Sequence, residues 1–195
     1  MTRVVVQALG FSRPLAYTKT LTLKDEALSI RYRIENRGTT GVSYLHACHP
    51  LLAVAEEDLI MLPGSTKTLG LHCSDEPLLG RAGEIVSWRH HRGKDLSRVG
   101  AEDSGVAVML YTERVQEGWC GLYRRASGEG IAVRLDPEEL PFLGLWLCYG
   151  GWPPDGAGTR QYAVAPEPTT APFGTLAEAQ RRGAARLLAL KEAAQ

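Results

Sequence analysis

The chain has 195 residues, 44% of them hydrophobic and 23% charged, which suits a globular domain with a sizeable core. Lys+Arg and Asp+Glu each total 22, so the formal net charge is zero, and no basic footprint exists for nucleic acid or an anionic membrane. No run approaches the ~18 consecutive apolar residues of a membrane span, and the opening MTRVVVQALGFSRP lacks a secretory signal's apolar core and cleavage site, so the default expectation is cytoplasmic.

In chain order, Thr20 to Leu23 and Leu28 to Glu35 alternate apolar and polar residues, the period of half-buried strands. The polar Lys24-Asp25-Glu26 between them predicts a hairpin, and Asn36-Arg37-Gly38 supplies the next turn. Further strands are predicted at Val42 to Cys48, Val106 to Tyr111, Trp119 to Arg124 and Ile131 to Leu135. Ala126 to Gly130 joins the last two as a second hairpin. Leu143 to Cys148 is another strand, Gln161 to Ala165 one more, and Gly150 to Gly156 forms a Gly/Pro-rich gap between them. The polar stretch from Cys73 to Ser104 reads as a long irregular loop. Only the C-terminus carries a helical signal. Thr175-Leu176-Ala177-Glu178 fits a capping box, and Leu176, Ala179, Gly183, Leu187 and Leu190 then share a face, with Gly183 a weak point. The pattern predicts a mostly β chain, an antiparallel β-sandwich or barrel with a C-terminal helix.

Cys48, Cys73, Cys120 and Cys148 are widely spaced with no C-x-x-C pair, so zinc-ligand spacing is absent and reduced, mostly buried thiols are expected. Two residues stand out for chemistry. His49 precedes Pro50, whose ring forces an extended conformation on it at a strand end, and its near-neutral titration suits proton donation and return. Glu167 lies between Pro166 and Pro168, a stiffened setting for a carboxylate that must be held in place. Taken singly, each is equally compatible with a plain role: a histidine satisfied in the core, a carboxylate solvated on a Pro-rich loop. Trp146, Tyr149 and Trp152 offer flat apolar faces and polar tips, although strand aromatics commonly pack in cores. His46, His72, His90 and His91 are weaker candidates, and no phosphate loop, nucleophile elbow or EF-hand is present.

The order of these pieces carries a resemblance. His49-Pro50-Leu51-Leu52, then Ile60 to Pro63, then Gly144 to Pro153, then Glu167 to Thr170 followed by Leu176 to Ala179, resembles the aldose 1-epimerase (galactose mutarotase-like) family. Phe11 to Asn36 is similar to that family's central T-x-L and L-x-x-x-Y-x-x-x-N strands. The resemblance implies a galactose mutarotase-like supersandwich in shortened form, a single domain over residues 1–195 that corresponds to the second half of the family's domain. It implies a small-molecule sugar as ligand, no cofactor, Glu167 as general base and His49 as general acid; Trp152, Trp146 and Tyr149, by residue type, and His46 are the expected substrate-binding residues. The weighed alternative is a catalytically silent sugar-binding or regulatory module. A sandwich with strands missing exposes edges and apolar faces, so a homodimer is expected.

Overall fold

A computed structural model describes residues 1–74, 79–154 and 158–194. Residues 75–78 of the predicted irregular loop, the Asp155-Gly156 end of the Gly/Pro gap and residue 195 lie outside the described residues. The described elements are, in order, β1 (Thr2–Leu9), β2 (Leu15–Lys24), β3 (Ala27–Asn36), β4 (Val42–Tyr44), β5 (Leu52–Ala53) and β6 (Leu59–Met61). Next come β7 (Thr68–Ser74), β8 (Ile85–Ser87), β9 (His90–His91), β10 (Lys94–Asp95), β11 (Val106–Thr112) and β12 (Trp119–Arg124). The chain ends with β13 (Glu129–Arg134), β14 (Phe142–Tyr149), β15 (Tyr162–Thr169), α1 (Leu176–Arg181), β16 (Arg186–Leu188) and β17 (Ala193–Ala194). Among the described residues the named strands all pair antiparallel, with one isolated parallel bridge between Val106 and Gly150, and the chain divides into two compact units.

The first unit is Met1–Leu45 with Gln180–Gln195. Its sheet runs β1-β2-β3-β17, and β16 pairs with β4. The predicted hairpin is present as β2 and β3, which pair from Leu15↔Asn36 to Lys24↔Ala27, with Asp25 at φ 51° in the turn. Leu15, Ile34, Val42, Tyr44 and Leu188 form its core. Buried Asn36 ties that core together: Nδ2 donates to the carbonyls of Thr40 (2.7 Å), Leu188 (3.2 Å) and Ala189 (3.0 Å), and Oδ1 accepts from the Gly38 N–H.

The second unit is His46–Ala179. Its main sheet runs β5-β15-β14-β11-β7-β8, and β13-β12-β6 forms a smaller one. One face of the main sheet presents Leu69, Leu71, Val108, Leu110, Leu145, Leu147 and Val164 to the core with Ile60 and Leu122. The period of two sends the intervening residues to the opposite face, which carries the candidate site.

Three expectations change. The helix stops at Arg181, because Gly183 turns the chain at φ 67°; Leu187 and Leu190 then stay exposed, and the tail forms β16 and β17 instead. The start of the helix is as predicted, with Thr175 Oγ1 accepting the Glu178 N–H. The irregular stretch holds three short strands and supplies Leu79, Val86, Leu96 and Val99 to the core, so its polar composition hid buried anchors. Of the cysteines, Cys120 and Cys148 are buried, whereas Cys48 is half-buried and Cys73 exposed, and none of the four is in a disulfide.

Candidate functional site

The sequence predicts a strand that ends at Ala165, short of Glu167. Glu167 lies inside β15, which extends past the predicted Ala165 to Thr169 and takes both prolines into a strand. The reason is local. Pro166 and Pro168 are two residues apart, so their nitrogens face the same side of the strand, away from the ladder to β14. On that side β5 pairs only with Ala163 and Val164, and no N–H is needed at either proline.

The segment before β5 follows the same line. Ala47 bridges Thr169, Leu52 pairs with Val164, and Ala53 with Ala163, all in one antiparallel register. Within that register Pro50 falls opposite Pro166, and neither can donate, which interrupts the ladder there. His49 falls opposite Glu167. Antiparallel partners hold their Cβ atoms about 4.5–5.5 Å apart, close enough for these side chains to meet. His49 Nε2 lies 3.4 Å from Glu167 Oε1.

Hydrogen bonds fasten the segment. The Cys48 N–H donates to the Pro168 carbonyl (2.9 Å), and the His46 N–H donates to Thr170 Oγ1 (3.0 Å). The His46 carbonyl accepts from the Thr170 N–H (2.9 Å) and from Thr169 Oγ1 (3.1 Å). Each such bond contributes about 0.5–1.5 kcal/mol net. His46 thereby anchors the segment through its backbone, and burial holds its imidazole below the usual histidine range, favouring the neutral ring.

The pair is asymmetric. The Glu167 side chain is 10% exposed and that of His49 54%. Burial raises the Glu167 carboxyl above the ordinary carboxylate range, and the adjacent His49 opposes this. A carboxylate pushed upward is a stronger base, and a solvent-reaching imidazole can take up and release protons.

Around them stand residues that sequence reasoning did not gather. Gly144 pairs with both Glu167 and Tyr111, so all three lie in one row across the sheet. A methyl group at Gly144 would come within 2.6 Å of Met109 Cε, 3.1 Å of Tyr111 Cε1 and 3.2 Å of Glu167 Cβ, so the glycine leaves the row its room. The Tyr111 hydroxyl is pushed upward by burial and then by the Glu167 carboxylate, which keeps it protonated as a donor. His72 sits where the β7–β11 register slips: Leu71 faces Leu110, Cys73 faces Met109, and His72 is the extra residue of a bulge. Bulges re-aim side chains, and the His72 ring meets Tyr111 edge-on at 5.5 Å. Strand partners and the bulge are not written in local sequence, so Tyr111 and His72 gave no signal beyond residue type.

Trp146 shares this face, two residues or about 7 Å along β14 from Gly144. Its Nε1 donates to Gln161 Oε1 (2.6 Å), and Trp152 meets it edge-on at 6.3 Å. The Gln161 N–H donates to the Trp152 carbonyl (2.8 Å), holding the half-exposed Trp152 beside Trp146. Tyr149 has the opposite parity and packs in the core. It lines a cleft of about 370 Å³ with Leu147, Val106, Lys94 and Arg98, which is not on the Glu167 face. Of the six sequence candidates, then, His49, Glu167, Trp146 and Trp152 gather on one side, His46 anchors the strand, and Tyr149 points the other way. Among the described residues, no group of three or more His, Cys, Asp or Glu side chains could hold a metal ion.

An antiparallel β-sandwich with a paired imidazole and carboxylate on one sheet face is the class these features define. Solved structures sharpen it. A provisionally named aldose 1-epimerase from Klebsiella pneumoniae subsp. pneumoniae overlays 99% of this chain at a TM-score of 0.70 and 16% identity, over 48% of its own length. A galactose mutarotase-like protein from Lactobacillus casei overlays 98% at 0.64 and 12% identity, over 66% of its length. A TPR-domain containing protein from Parabacteroides distasonis overlays 98% at 0.67 and 16% identity, over 31% of its length. The chain has the galactose mutarotase-like fold seen in aldose 1-epimerase structures, and it spans about half the length of the first of them. No family profile matches the chain, and no curated protein matches it at a significant level.

Proposed function

We propose that the protein binds an aldose and interconverts its anomers, with Glu167 as base and His49 as acid. The observation that carries this reading is the 3.4 Å contact between a buried carboxylate and a solvent-reaching imidazole in a galactose mutarotase-like fold. The C1 hydroxyl and the ring oxygen are bonded to the same carbon, so two groups this close can serve both atoms. The Glu167 carboxylate takes the C1 hydroxyl proton, the electron pair closes a C1 carbonyl, and the C1–ring oxygen bond breaks. The His49 imidazolium gives its proton to the departing ring oxygen. Rotation about C1–C2 and reclosure with the two roles exchanged yields the other anomer. Each positioned proton transfer is typically worth about 10²–10⁴ in rate.

Tyr111 supplies a protonated hydroxyl to the same row, and Trp146 with Trp152 offers apolar faces to sugar C–H groups. The test is the rate at which fresh α-D-glucose or α-D-galactose changes optical rotation in the presence of the protein. A second reading is a catalytically silent sugar-binding module on the same fold, for which the half-exposed Trp152 set edge-on to Trp146 would serve equally. It predicts measurable sugar binding with no acceleration.

A further inference from the structure

The β1–β3 sheet of the first unit has one face with an unfinished core. Cross-strand pairing places Thr2, Val4, Val6 and Ala8 on the same face as Tyr17, Lys19, Leu21 and Leu23, and as Leu28, Ile30, Tyr32 and Ile34. Leu15 and Ile34 at one end are buried under β4 and β16. Further along the same strands the cover ends. Val4, Val6, Leu23, Leu28 and Ile30 are 52%, 51%, 48%, 55% and 40% exposed. On β2 and β3 the opposite face carries Thr18, Thr20, Thr22, Ser29, Arg31 and Arg33, while β1 adds Arg3 and Gln7 together with exposed Val5 and Leu9. Along β2 and β3 the alternation is therefore written for two environments, and their apolar face, which Val4 and Val6 of β1 extend, is bare beyond Leu15 and Ile34.

We propose that a second copy of this chain covers this face, sheet against sheet across a two-fold axis. Three features favour a copy of the same surface. Its one charge, Lys19, lies over the Tyr32 ring at 5.3 Å, so opposed copies bring no uncompensated cluster of like charge together. The bare area is roughly 500 Å² a side, at the upper end of what monomers leave exposed. With Thr2, Ala8 and the exposed Met1 at its margin it comes within reach of the ~800 Å² a side of standard interfaces. Aligned sheets pack about 10 Å apart with interdigitated aliphatic side chains, which suits the Val, Leu and Ile set.

The experiment is light scattering on the eluting full chain at tens of micromolar. The expected mass is twice 21.3 kDa, unchanged at high salt because the contact is apolar. Leu23→Glu with Ile30→Glu should give the single-chain mass with an unaltered far-ultraviolet spectrum, while Ser29→Glu on the polar face stays dimeric. If the double variant fails to fold, Leu28→Ser should raise the dimer dissociation constant at least tenfold. A wild-type chain that elutes at 21.3 kDa, or variants of the apolar face that remain as dimeric as wild type, would overturn the proposal.

Discussion

Glu167 receives His49 at 3.4 Å through a backbone register that two prolines interrupt. With Pro50 opposite Pro166, the strand pair loses its ladder beside the candidate acid and base, and the bonds on either side hold the alignment. Proline here does more than stiffen: it ends pairing at the point where side chains, and not backbone, must face a ligand.

The first prediction concerns that fastening. Thr170→Val removes the acceptor of the His46 N–H with little change of shape, leaving a part-buried donor unsatisfied. The expected loss is about 1–3 kcal/mol of stability, read by urea denaturation, with a larger proportional fall in kcat than in KM because His49 loses its alignment. A variant equal to wild type in both would show that the bonds do not position His49.

The acid limb of activity should lie above the ordinary carboxylate range, since the base works only when ionised and burial raises its titration. In His49→Gln the opposing imidazole is gone, so the Glu167 carboxyl should titrate higher still. Carboxyl-detected NMR titration of wild type and variant checks both; movement in the opposite direction would contradict the assigned cause.

Stability follows with a definite sign. A carboxyl raised on folding favours the native state where it is protonated, and this contribution is lost as pH rises through its folded value. At neutral pH the buried charge is a cost. Glu167→Gln is therefore expected to melt above wild type at pH 7 while abolishing turnover, with the difference closing as pH falls through the raised titration. Thermal melts at several pH values measure it.

Gly144→Ala tests the row of Gly144, Tyr111 and Glu167. The Met109 methyl can swing away, but the Tyr111 ring and the Glu167 Cβ must each yield a few tenths of an ångström. Because about 1 Å of misplacement costs on the order of 10²-fold, a fall of about 10-fold in kcat is expected with the fold intact, as judged by circular dichroism and steady-state rates.

Much of this was legible in the sequence. Alternation alone marks β2 and β3 with their hairpin, and β12 matches its predicted bounds, since period two records which face is buried. Two prolines around Glu167 read locally as a loop; only knowledge that β5 is short shows why a strand tolerates them. The C-terminal pattern after Gly183 kept helical spacing, yet pairing of β16 with β4 and β17 with β3 overrode it. His49 and Glu167 stood out by their settings. Tyr111 and His72 did not, because strand pairing between β7, β11 and β14 and one bulge bring them to the row.

The most direct test of the central claim is polarimetry on fresh α-D-glucose and α-D-galactose, compared with the spontaneous rate. Acceleration is expected with at least one aldose, and its loss, by about 10²-fold or more, in both Glu167→Gln and His49→Ala. Acceleration that survives either substitution, or none with any common aldose despite measurable sugar binding, would contradict that claim.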